Sequence, residues 1–404
     1  MTEIIKPADA KGVRDLIVWA TAERAPLEIL GAGTKRGFGH AVAADHALDL
    51  SALSGIVDYE PAELVLTARA ATPIAEIEAL LRQSNQQLAF EPSDLGPLFG
   101  AAPEQATLGG VVAANLSGPR RVQTGAARDH TLGVEVATGR GELIKAGGRV
   151  VKNVSGYDLT KLMCGSWGTL GVLTQISVKV LPAPEKTRTV LVAGLSAGQA
   201  CHAMTAALSS PHEVTGAAFV PASIAARSRV AYVSDAGRSI TAIRIEGPPV
   251  SVGVRNTALR DLLGAFGEIE ELHGHNSGAF WQEVRDVAPL LPGNAALWRL
   301  SVAPAQGGET LDRLEEDGFE GLLDWGGGLI WACGSGDVPS ASRVRALAEQ
   351  AGGHATLVRA DEPLKAEVGV FHPQPETRAA LSQRIREGFD PLGILNPGRM
   401  GTQG

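Results

Sequence analysis

The sequence predicts an α+β protein with more than one domain, and three observations lead to this prediction. Short apolar segments typical of strands alternate with amphipathic helical segments along the 404 residues. Glycine occupies 49 positions, and several of those before residue 175 cluster in loop-like segments. The pattern changes after the Pro-x-Pro stretch at 182–184. We therefore expect one domain over 1–184, an α+β domain over 185–385 and a short C-terminal tail over 386–404.

The first half is expected to begin with an amphipathic helix at 13–24. Extended segments follow at 26–31, 46–51, 55–60 and 63–70, each bounded by turn residues. A second helix then begins, with Thr72 as its N-cap and Pro73 at its first position. Ile74, Ile77 and Leu81 lie on one face of that helix.

The segments that follow are rich in glycine. The stretch "ATLGGVVAANLSGPRR" predicts a tight turn and a short helix, and "HTLGVEVATGRGELIKAGG" predicts a hairpin. Residues 155–185 predict a helix, a glycine turn and a strand that ends at Pro182 and Pro184. Between 186 and 385, strands such as "TRTVLVAGL" and "GLIWACG" alternate with helices, which favours an antiparallel sheet covered by helices.

Composition excludes several classes of function. The net charge of −8 is unfavourable for nonspecific binding to nucleic acid or an anionic membrane. An apolar run long enough for a membrane helix and an export signal are both missing, so we expect a cytoplasmic protein. A peripheral position at the inner membrane, through partners, stays open. The three cysteines form no C-x-x-C motif, so this chain alone is not expected to hold an iron–sulfur cluster.

The stretch "LEILGAGTKRGFGH", residues 27–40, has the composition of a phosphate-binding loop. Glycine lets backbone N–H groups point at an anion without a Cβ in the way. A dinucleotide fingerprint fails here, because Arg36 stands where the third glycine belongs and no helical pattern follows. A P-loop fails because the G-K-[ST] sequence is missing. The loop is therefore expected to join two strands.

Two further glycine loops, "TLGGVVAANLSG" at 107–118 and "GSWGTLGV" at 165–172, share this character. Three such loops within 150 residues are consistent with one extended ligand. Each loop taken alone is equally well explained as an ordinary turn. The pair Gly109-Gly110 is the least ordinary, since small residues there let a helix press against a large planar or phosphorylated group.

Residues 25–182 and the tail "GFDPLGILNPGRM" resemble a known flavoprotein superfamily, that of vanillyl-alcohol oxidase and para-cresol methylhydroxylase. Within it, the ordered blocks are most similar to the FAD-binding subunit family of bacterial glycolate oxidases, which is related to D-lactate dehydrogenases. The resemblance implies an FAD-binding domain of two α+β subdomains with FAD between them. It also implies an α+β cap domain over the isoalloxazine. The middle region, 186–385, carries little of the similarity.

The resemblance implies FAD-binding residues in each of the matching blocks. They are Gly31, Ala32, Gly33, Thr34, Lys35 and Arg36 in the pyrophosphate loop; Pro92, Ser93 and Asp94; Thr107, Gly109, Gly110, Ala113, Ala114 and Gly118; Gly125; Gly168, Gly171 and Val172; and Asn396 in the tail. A loop rich in N–H groups suits two phosphates, and an apolar slot suits a flavin ring.

Two departures from the relatives' patterns affect the expected chemistry. Covalently flavinylated relatives carry a His near the position of Thr34 or Lys35, so we expect noncovalent FAD here; His40 and His46 are interpreted as exposed loop residues. Hydroxyacid dehydrogenase relatives use a spaced His pair to hold a metal, and no such spacing occurs in this chain. His273 and His275 would share a face on a strand but are better explained as part of a polar loop. No metal site is expected.

No general base can be named from the sequence. Arg120, Arg121 and Arg128 lie in blocks suited to anion contacts, and substrate, FAD phosphate and a partner all remain possible ligands. Lys152, Asn153 and Tyr157 either contact the flavin or fix the following loop and helix.

The resemblance implies an FAD-dependent oxidoreductase acting on CH–OH groups, as the FAD-binding subunit of a glycolate (2-hydroxy acid) oxidase complex. The implied partners are a sister FAD-binding catalytic subunit and an iron–sulfur subunit. A self-sufficient 2-hydroxy acid dehydrogenase and a non-catalytic flavin or structural partner are the alternatives. A flavoenzyme like UDP-N-acetylmuramate reductase is a further alternative, which strong NADPH-dependent flavin reduction would favour.

Overall fold

The computed structural model describes residues 2–148 and 156–401, and Lys152 and Asn153 lie outside the described residues. The chain divides into two compact units that interrupt each other in sequence. The first unit comprises 1–116, 126–183 and 373–404, and the second comprises 117–125 and 184–372. The sequence pattern predicts divisions after 184 and 385. Nothing in the composition of residues 117–125 indicates that they belong to the second unit. The chain returns to the first unit at residue 373, whereas the sequence pattern places this change at 386.

The elements of residues 2–183 are given in chain order. The strands are β1 Glu3–Ile5, β2 Leu27–Leu30, β3 His46–Asp49, β4 Ile56–Glu60, β5 Val65–Arg69, β6 Gln86–Gln87, β7 Thr131–Ala137, β8 Leu143–Gly147, β9 Val172–Lys179 and β10 Leu181–Pro182. The helices are α1 Ala10–Glu23, α2 Ile74–Gln83, α3 Leu108–Ala114, α4 Arg121–Thr124, α5 Ala127–His130 and α6 Leu159–Met163. Short 3-10 turns lie at Pro61–Glu63 and Gly96–Phe99. Every strand, helix and hairpin expected here from the sequence is therefore present.

Residues 184–372 and the tail carry the remaining elements. The strands are β11 Lys186–Ala193, β12 Val214–Val220, β13 Ile240–Gly247, β14 Glu268–His273, β15 Ala296–Ser301, β16 Glu320–Asp324, β17 Leu329–Gly334 and β18 His354–Arg359. The helices are α7 Ala197–Leu208, α8 Ala222–Ala225, α9 Ala231–Ser234, α10 Pro249–Leu263, α11 Gly274–Arg285, α12 Gly307–Glu316, α13 Val338–Gln350, α14 Glu362–Val368 and α15 Glu376–Phe389. Further 3-10 turns lie at Ala288–Leu290, Pro304–Gln306 and Trp325–Gly327.

The first unit contains two principal sheets. A parallel sheet has the order β1-β3-β2, and an antiparallel sheet has the order β4-β5-β9-β7-β8. The loop at 31–45 joins β2 to β3 without an intervening helix, as expected. Helix α1 buries Val13, Ile17 and Ala20 in the core next to the parallel sheet. That core also contains Ile394 and Leu395, so the tail is packed into the first unit.

The second unit is an antiparallel eight-stranded sheet with the order β14-β11-β13-β12-β16-β17-β15-β18. Its core includes apolar residues of α7, α10, α12 and α13 packed with those of the strands. Ser196 and Gln199 form a reciprocal capping box at the start of α7, which satisfies N–H groups that a helix otherwise leaves unpaired. The sequence prediction of an antiparallel sheet covered by helices is confirmed.

Three local predictions were wrong. Pro73 is the N-cap of α2, while Thr72 donates its hydroxyl hydrogen bond to the carbonyl of Arg69 at 2.7 Å and accepts one from Gly55. His40 and His46 are not the exposed loop residues expected. His46 lies on β3 with its ring against that of Trp19. His40 lies in a loop but is half-buried. His273 ends β14 and His275 lies in α11, so the pair is not part of the expected polar loop; nor do the two residues share a strand face.

Candidate functional site

A cleft in the first unit lies where the parallel sheet, the antiparallel sheet and α3 approach one another. It contains about 780 Å³ of space between protein atoms, its open mouth included. Its lining combines all three glycine loops with the tail. The predicted residues that line it are Gly31, Ala32, Gly33, Thr34, Lys35, Arg36, Thr107, Gly109, Gly110, Ala113, Ala114, Gly168, Gly171 and Asn396.

Six predicted residues lie outside this lining. Pro92, Ser93 and Asp94 do not line the cleft but are close to the first loop, since the following Gly96 approaches the side chain of Thr34 and the charge of Asp94 acts on Lys35. Val172 is fully buried in the core, because side chains alternate across β9 and its neighbour Leu173 faces the cleft. Gly118 and Gly125 belong to the second unit.

The lining also includes residues that the sequence patterns do not single out. They are Ile29, Leu30, Leu50, Ala70, Ala71, Trp167, Leu173 and Arg399. Most are apolar residues on or near strands, whose sequence pattern is the same as that of ordinary core residues. Arg399 is detectable only as part of the tail block.

The first glycine loop has a backbone suited to an anion. Gly33 has φ +71°, a conformation that favours glycine. The backbone N–H groups of Gly33, Thr34 and Lys35 donate to no acceptor within residues 2–148 and 156–401. Thr34 and Lys35 are buried, and buried N–H groups without partners are costly. A bound anion would satisfy them.

Lys35 supplies the matching charge. Its ammonium donates only a long hydrogen bond, 3.4 Å, to the hydroxyl of Thr34, and has no carboxylate within ion-pair distance in the described chain. Burial lowers the pKa of Lys35 to about 8, and the charge of Asp94 opposes that shift only partly. The Lys35 Nζ lies 3.6 Å from the position that a Cβ on Gly110 would occupy, which places it beside the start of α3.

The neighbouring Arg36, unlike Lys35, is paired with a carboxylate of the protein. Its guanidinium makes two hydrogen bonds to the buried carboxylate of Glu28, at 2.8 and 2.5 Å. These hydrogen bonds raise the pKa of Arg36 above its ordinary value. The positive charge of Arg36 is therefore compensated within the protein, and Lys35 is the better candidate for an anionic ligand.

The second glycine loop is held against β5 by close packing. The N–H of Gly109 donates to the carbonyl of Ala70 at 2.7 Å, and a Cβ on Gly109 would lie 2.8 Å from that oxygen. The hydroxyl of Thr107 accepts from the N–H of Gly110 at 3.3 Å and caps α3. Glycine at 109 is thus required for the approach of α3 to β5, which sets the width of the cleft.

The tail fixes the loops from the other side. Asn396 accepts a hydrogen bond from the N–H of Ile29 and donates one to the carbonyl of Trp167. Arg399 donates to the carbonyls of Lys35, Arg36 and His40. Through these bonds the C-terminal segment positions the first and third glycine loops together.

The three arginines singled out in the sequence have different surroundings. Arg120 forms a buried two-hydrogen-bond pair with Glu246, both bonds at 2.9 Å. The Arg121 guanidinium lies 4.4 Å from the ring centroid of Trp325, and Arg128 is exposed. Tyr157 is 92% exposed. Within the described residues no group of three or more His, Cys, Asp or Glu has an arrangement that could hold a metal ion.

Comparison with known proteins matches these features to a family. Residues 2–147 match the FAD binding domain family. The chain is 36% identical over 382 residues to glycolate oxidase subunit GlcE of Escherichia coli strain K12, with 94% of each chain covered. The chain belongs to the GlcE family of glycolate oxidase subunits. It is an FAD-binding protein of the FAD-dependent oxidoreductases that act on CH–OH groups.

Two more distant similarities define the limits of this assignment. D-2-hydroxyglutarate dehydrogenase of Xanthomonas citri pv. viticola is 32% identical over 193 residues, which is 47% of this chain and 39% of that protein. The crystal structure of p-cresol methylhydroxylase superposes with a TM-score of 0.71 at 13% identity, covering 99% of this chain and 88% of the other. That likeness confirms the fold class inferred from the sequence. This member of the GlcE family thus combines an FAD-binding domain with an α+β second domain.

Proposed function

We propose that this chain is the FAD-binding subunit of a glycolate oxidase complex and accepts or relays electrons from the oxidation of glycolate to glyoxylate. The observation that carries the proposal is the similarity to GlcE, which extends over 94% of both chains and so includes the second unit. The cleft in the first unit supports it independently, because an uncompensated buried cation and unpaired N–H groups there suit a diphosphate.

The residues present fit FAD. The N–H groups of Gly33, Thr34 and Lys35, with the Lys35 ammonium, would hold the pyrophosphate. The apolar side chains of Ile29, Leu50 and Leu173 would pack against less polar parts of the cofactor. When bound, FAD would accept the two electrons released when the carbon–hydrogen bond of the alcohol is broken. The protein's own contribution is to bind and orient the cofactor and to exclude water from the apolar part of the cleft.

We propose further that the FAD is held noncovalently. The lining of the cleft, as far as the described residues define it, contains no His, Cys or Tyr, the side chains able to bond a flavin. The three cysteines have no disulfide partner, and burial raises the pKa of each thiol, that of Cys164 to about 11. They are therefore protonated at neutral pH and poorly suited to attack.

The partners proposed for the complex are a sister FAD-binding catalytic subunit and an iron–sulfur subunit. The E. coli relative is itself a glycolate oxidase subunit, which supports an assembly of this kind. Within residues 2–148 and 156–401 no helix is long and apolar enough to span a membrane. A peripheral position at the inner membrane, through those partners, is part of the proposal.

The experiment that tests the proposal is an absorbance spectrum of the purified chain, followed by anaerobic addition of glycolate with and without co-purified partners. Flavin bands released by acid or heat support noncovalent FAD. Reduction only in the presence of partners supports a relay subunit. Reduction of the isolated chain would instead show a self-sufficient dehydrogenase. Failure to take up FAD, even after reconstitution, would refute the assignment of the cleft.

A further inference from the structure

A second cationic site lies in the second unit, around the 3-10 turn at Trp325–Gly327. Arg299 is in the middle of β15, and its guanidinium donates no hydrogen bond to any of the described residues. Its Cζ lies 5.1 Å from the ring centroid of Trp325 and 6.0 Å from that of Trp331. The five donors of an arginine normally find protein or water acceptors in a folded protein.

The environment of Arg299 disfavours its charge. Burial, together with the nearby charge of Arg121, lowers the pKa of Arg299 to about 10, while Asp324 acts in the opposite direction. Arg299 is half-buried, so part of the residue meets solvent. A half-buried arginine that has no acceptor among the described residues has the properties of an anion-binding group.

Arg121 approaches the same tryptophan. Its guanidinium carbon lies 4.4 Å from the Trp325 ring centroid, so two guanidinium groups contact one indole. The indole N–H donates to the carbonyl of Gly118 at 3.1 Å, and the backbone N–H of Trp325 donates to Asp324 at 2.7 Å. These two hydrogen bonds hold the indole that both guanidinium groups contact.

The backbone at this turn is strained. Trp325 has φ +53°, a left-handed conformation that a bulky side chain rarely adopts. Such conformations persist only when the surrounding contacts hold them, and they are frequent at binding sites. Here the hydrogen bonds to Gly118 and Asp324 hold it.

Arg121 and Arg299 carry like charges that act on each other at this turn. Asp324 is a carboxylate whose charge favours the charged form of Arg299. Like charges at low dielectric repel strongly, so a bound anion would stabilise the arrangement.

We propose that Arg299 and Arg121, which both contact Trp325, bind the carboxylate of a small organic acid. The planar guanidinium matches the two oxygens of a carboxylate, and the indole offers an apolar wall for the adjacent carbon. The acid is the 2-hydroxy acid oxidised by the complex, and this part of the inference rests on the proposed function.

The test is calorimetric titration of the full-length, FAD-loaded chain with three probes. Oxalate carries the carboxylate but has no C–H bond to oxidise; glycolamide replaces the carboxylate of glycolate by a neutral amide; inorganic phosphate is an anion of different shape. We expect oxalate to bind, phosphate to bind at least about tenfold more weakly, and glycolamide to show no binding. Phosphate binding as tightly as oxalate, or an absence of oxalate binding, would overturn the proposal.

Variants locate the binding in the structure. Arg299→Gln and Arg121→Gln are each expected to weaken oxalate binding at least about tenfold, and Arg299→Lys less, since a charged hydrogen bond is lost or made less specific. The matched control is Arg343→Gln, which removes an exposed arginine of the same unit paired with Asp317. FAD content and circular dichroism show whether each variant is folded. If Arg299→Gln does not fold, Arg121→Gln alone tests the site. Unchanged oxalate affinity in Arg121→Gln would refute the site.

The same preparation separates this inference from the proposed function. Loss of oxalate binding in the variants, with no glycolate-driven flavin reduction in the complex, would keep the carboxylate site but refute glycolate as its ligand. Normal glycolate-driven reduction, with oxalate affinity unaffected by both substitutions, would keep the proposed function and refute the site.

Discussion

The side-chain oxygen of Asn396 accepts a hydrogen bond of 2.8 Å from the backbone N–H of Ile29, a residue 367 positions earlier in the chain. The amide nitrogen of the same side chain donates to the carbonyl of Trp167 at 2.9 Å. One buried asparagine therefore joins strand β2, the third glycine loop and the tail, all of which line the cleft.

Asn396→Ala should destabilise the first unit and weaken FAD retention. It leaves the N–H of Ile29 and the carbonyl of Trp167 without these partners, at a cost of roughly 1–3 kcal/mol for each buried group. Urea unfolding and FAD content after gel filtration measure the two effects. Asn294→Ala, at an exposed position of the second unit, is the control. Equal FAD retention in the two variants would contradict the role given to Asn396.

Lys35 should make FAD binding depend on pH. Its pKa is about 8 because of burial, and a phosphate beside it would raise that value again. Below pH 8 the ammonium is already charged and binding needs no proton. Above pH 8 binding must take up a proton, so the Kd should rise by up to about tenfold per pH unit. Calorimetry at pH 9 in buffers of different ionisation enthalpy measures the uptake.

Lys35→Met tests the assignment of that proton. The variant keeps most of the side-chain volume but has no titratable group, so proton uptake should vanish and the affinity for FAD should fall at every pH. Without FAD, the variant should be more stable than the parent below pH 8, because it avoids burying an uncompensated charge. Proton uptake that persists in Lys35→Met would assign the linkage to another group.

Much of the first unit is predictable because its local signals agree with its fold. Turn residues bound each short strand, and Ile74, Ile77 and Leu81 repeat at helical spacing and are buried. The ordered glycine blocks identify most of the cleft lining from the sequence alone. The insertion of 117–125 into the second unit is not predictable in this way, because which unit a short segment packs with depends on contacts distant in sequence.

The cationic site around Trp325–Gly327 could not be predicted from the sequence. The sequence indicates Arg121 as an anion-contact candidate, but nothing near it in sequence indicates Arg299 or Trp325. Arg299 lies within an apolar strand, "ALWRLS", where an arginine suggests an edge or surface position. Only the sheet order, which places β15 beside β17, brings Arg299 opposite Trp331. The lack of an acceptor for its guanidinium among the described residues is a property of the folded chain alone.

Gly109→Ala should disrupt the cleft through packing alone. The added Cβ would lie 2.8 Å from the carbonyl oxygen of Ala70, a backbone atom that cannot rotate away. Relief requires α3 to move from β5, with an expected loss of roughly 1–3 kcal/mol of stability and weaker FAD binding. Gly253→Ala on α10, where nothing lies within 4 Å, is the matched control and should be neutral or slightly stabilising. Unfolding and FAD titration of both variants provide the comparison.

Glu246→Gln should be among the most damaging single changes in the second unit. Burial alone would raise the pKa of Glu246, but Arg244 and Arg120 outweigh that effect and lower it to about 2. The substitution removes this counter-charge from two buried guanidinium groups, at a cost of roughly 3–5 kcal/mol. Because the folded-state pKa is depressed, the ionised carboxylate stabilises the parent above about pH 4.5, and this stabilisation is lost as the pH falls towards 2. The variant should lack that acid-dependent loss in denaturant unfolding measured across this range. Glu316→Gln, at an exposed position of α12, should keep both the stability and the acid dependence of the parent. If the two variants had the same stability, Glu246 would not be the counter-charge of this cluster.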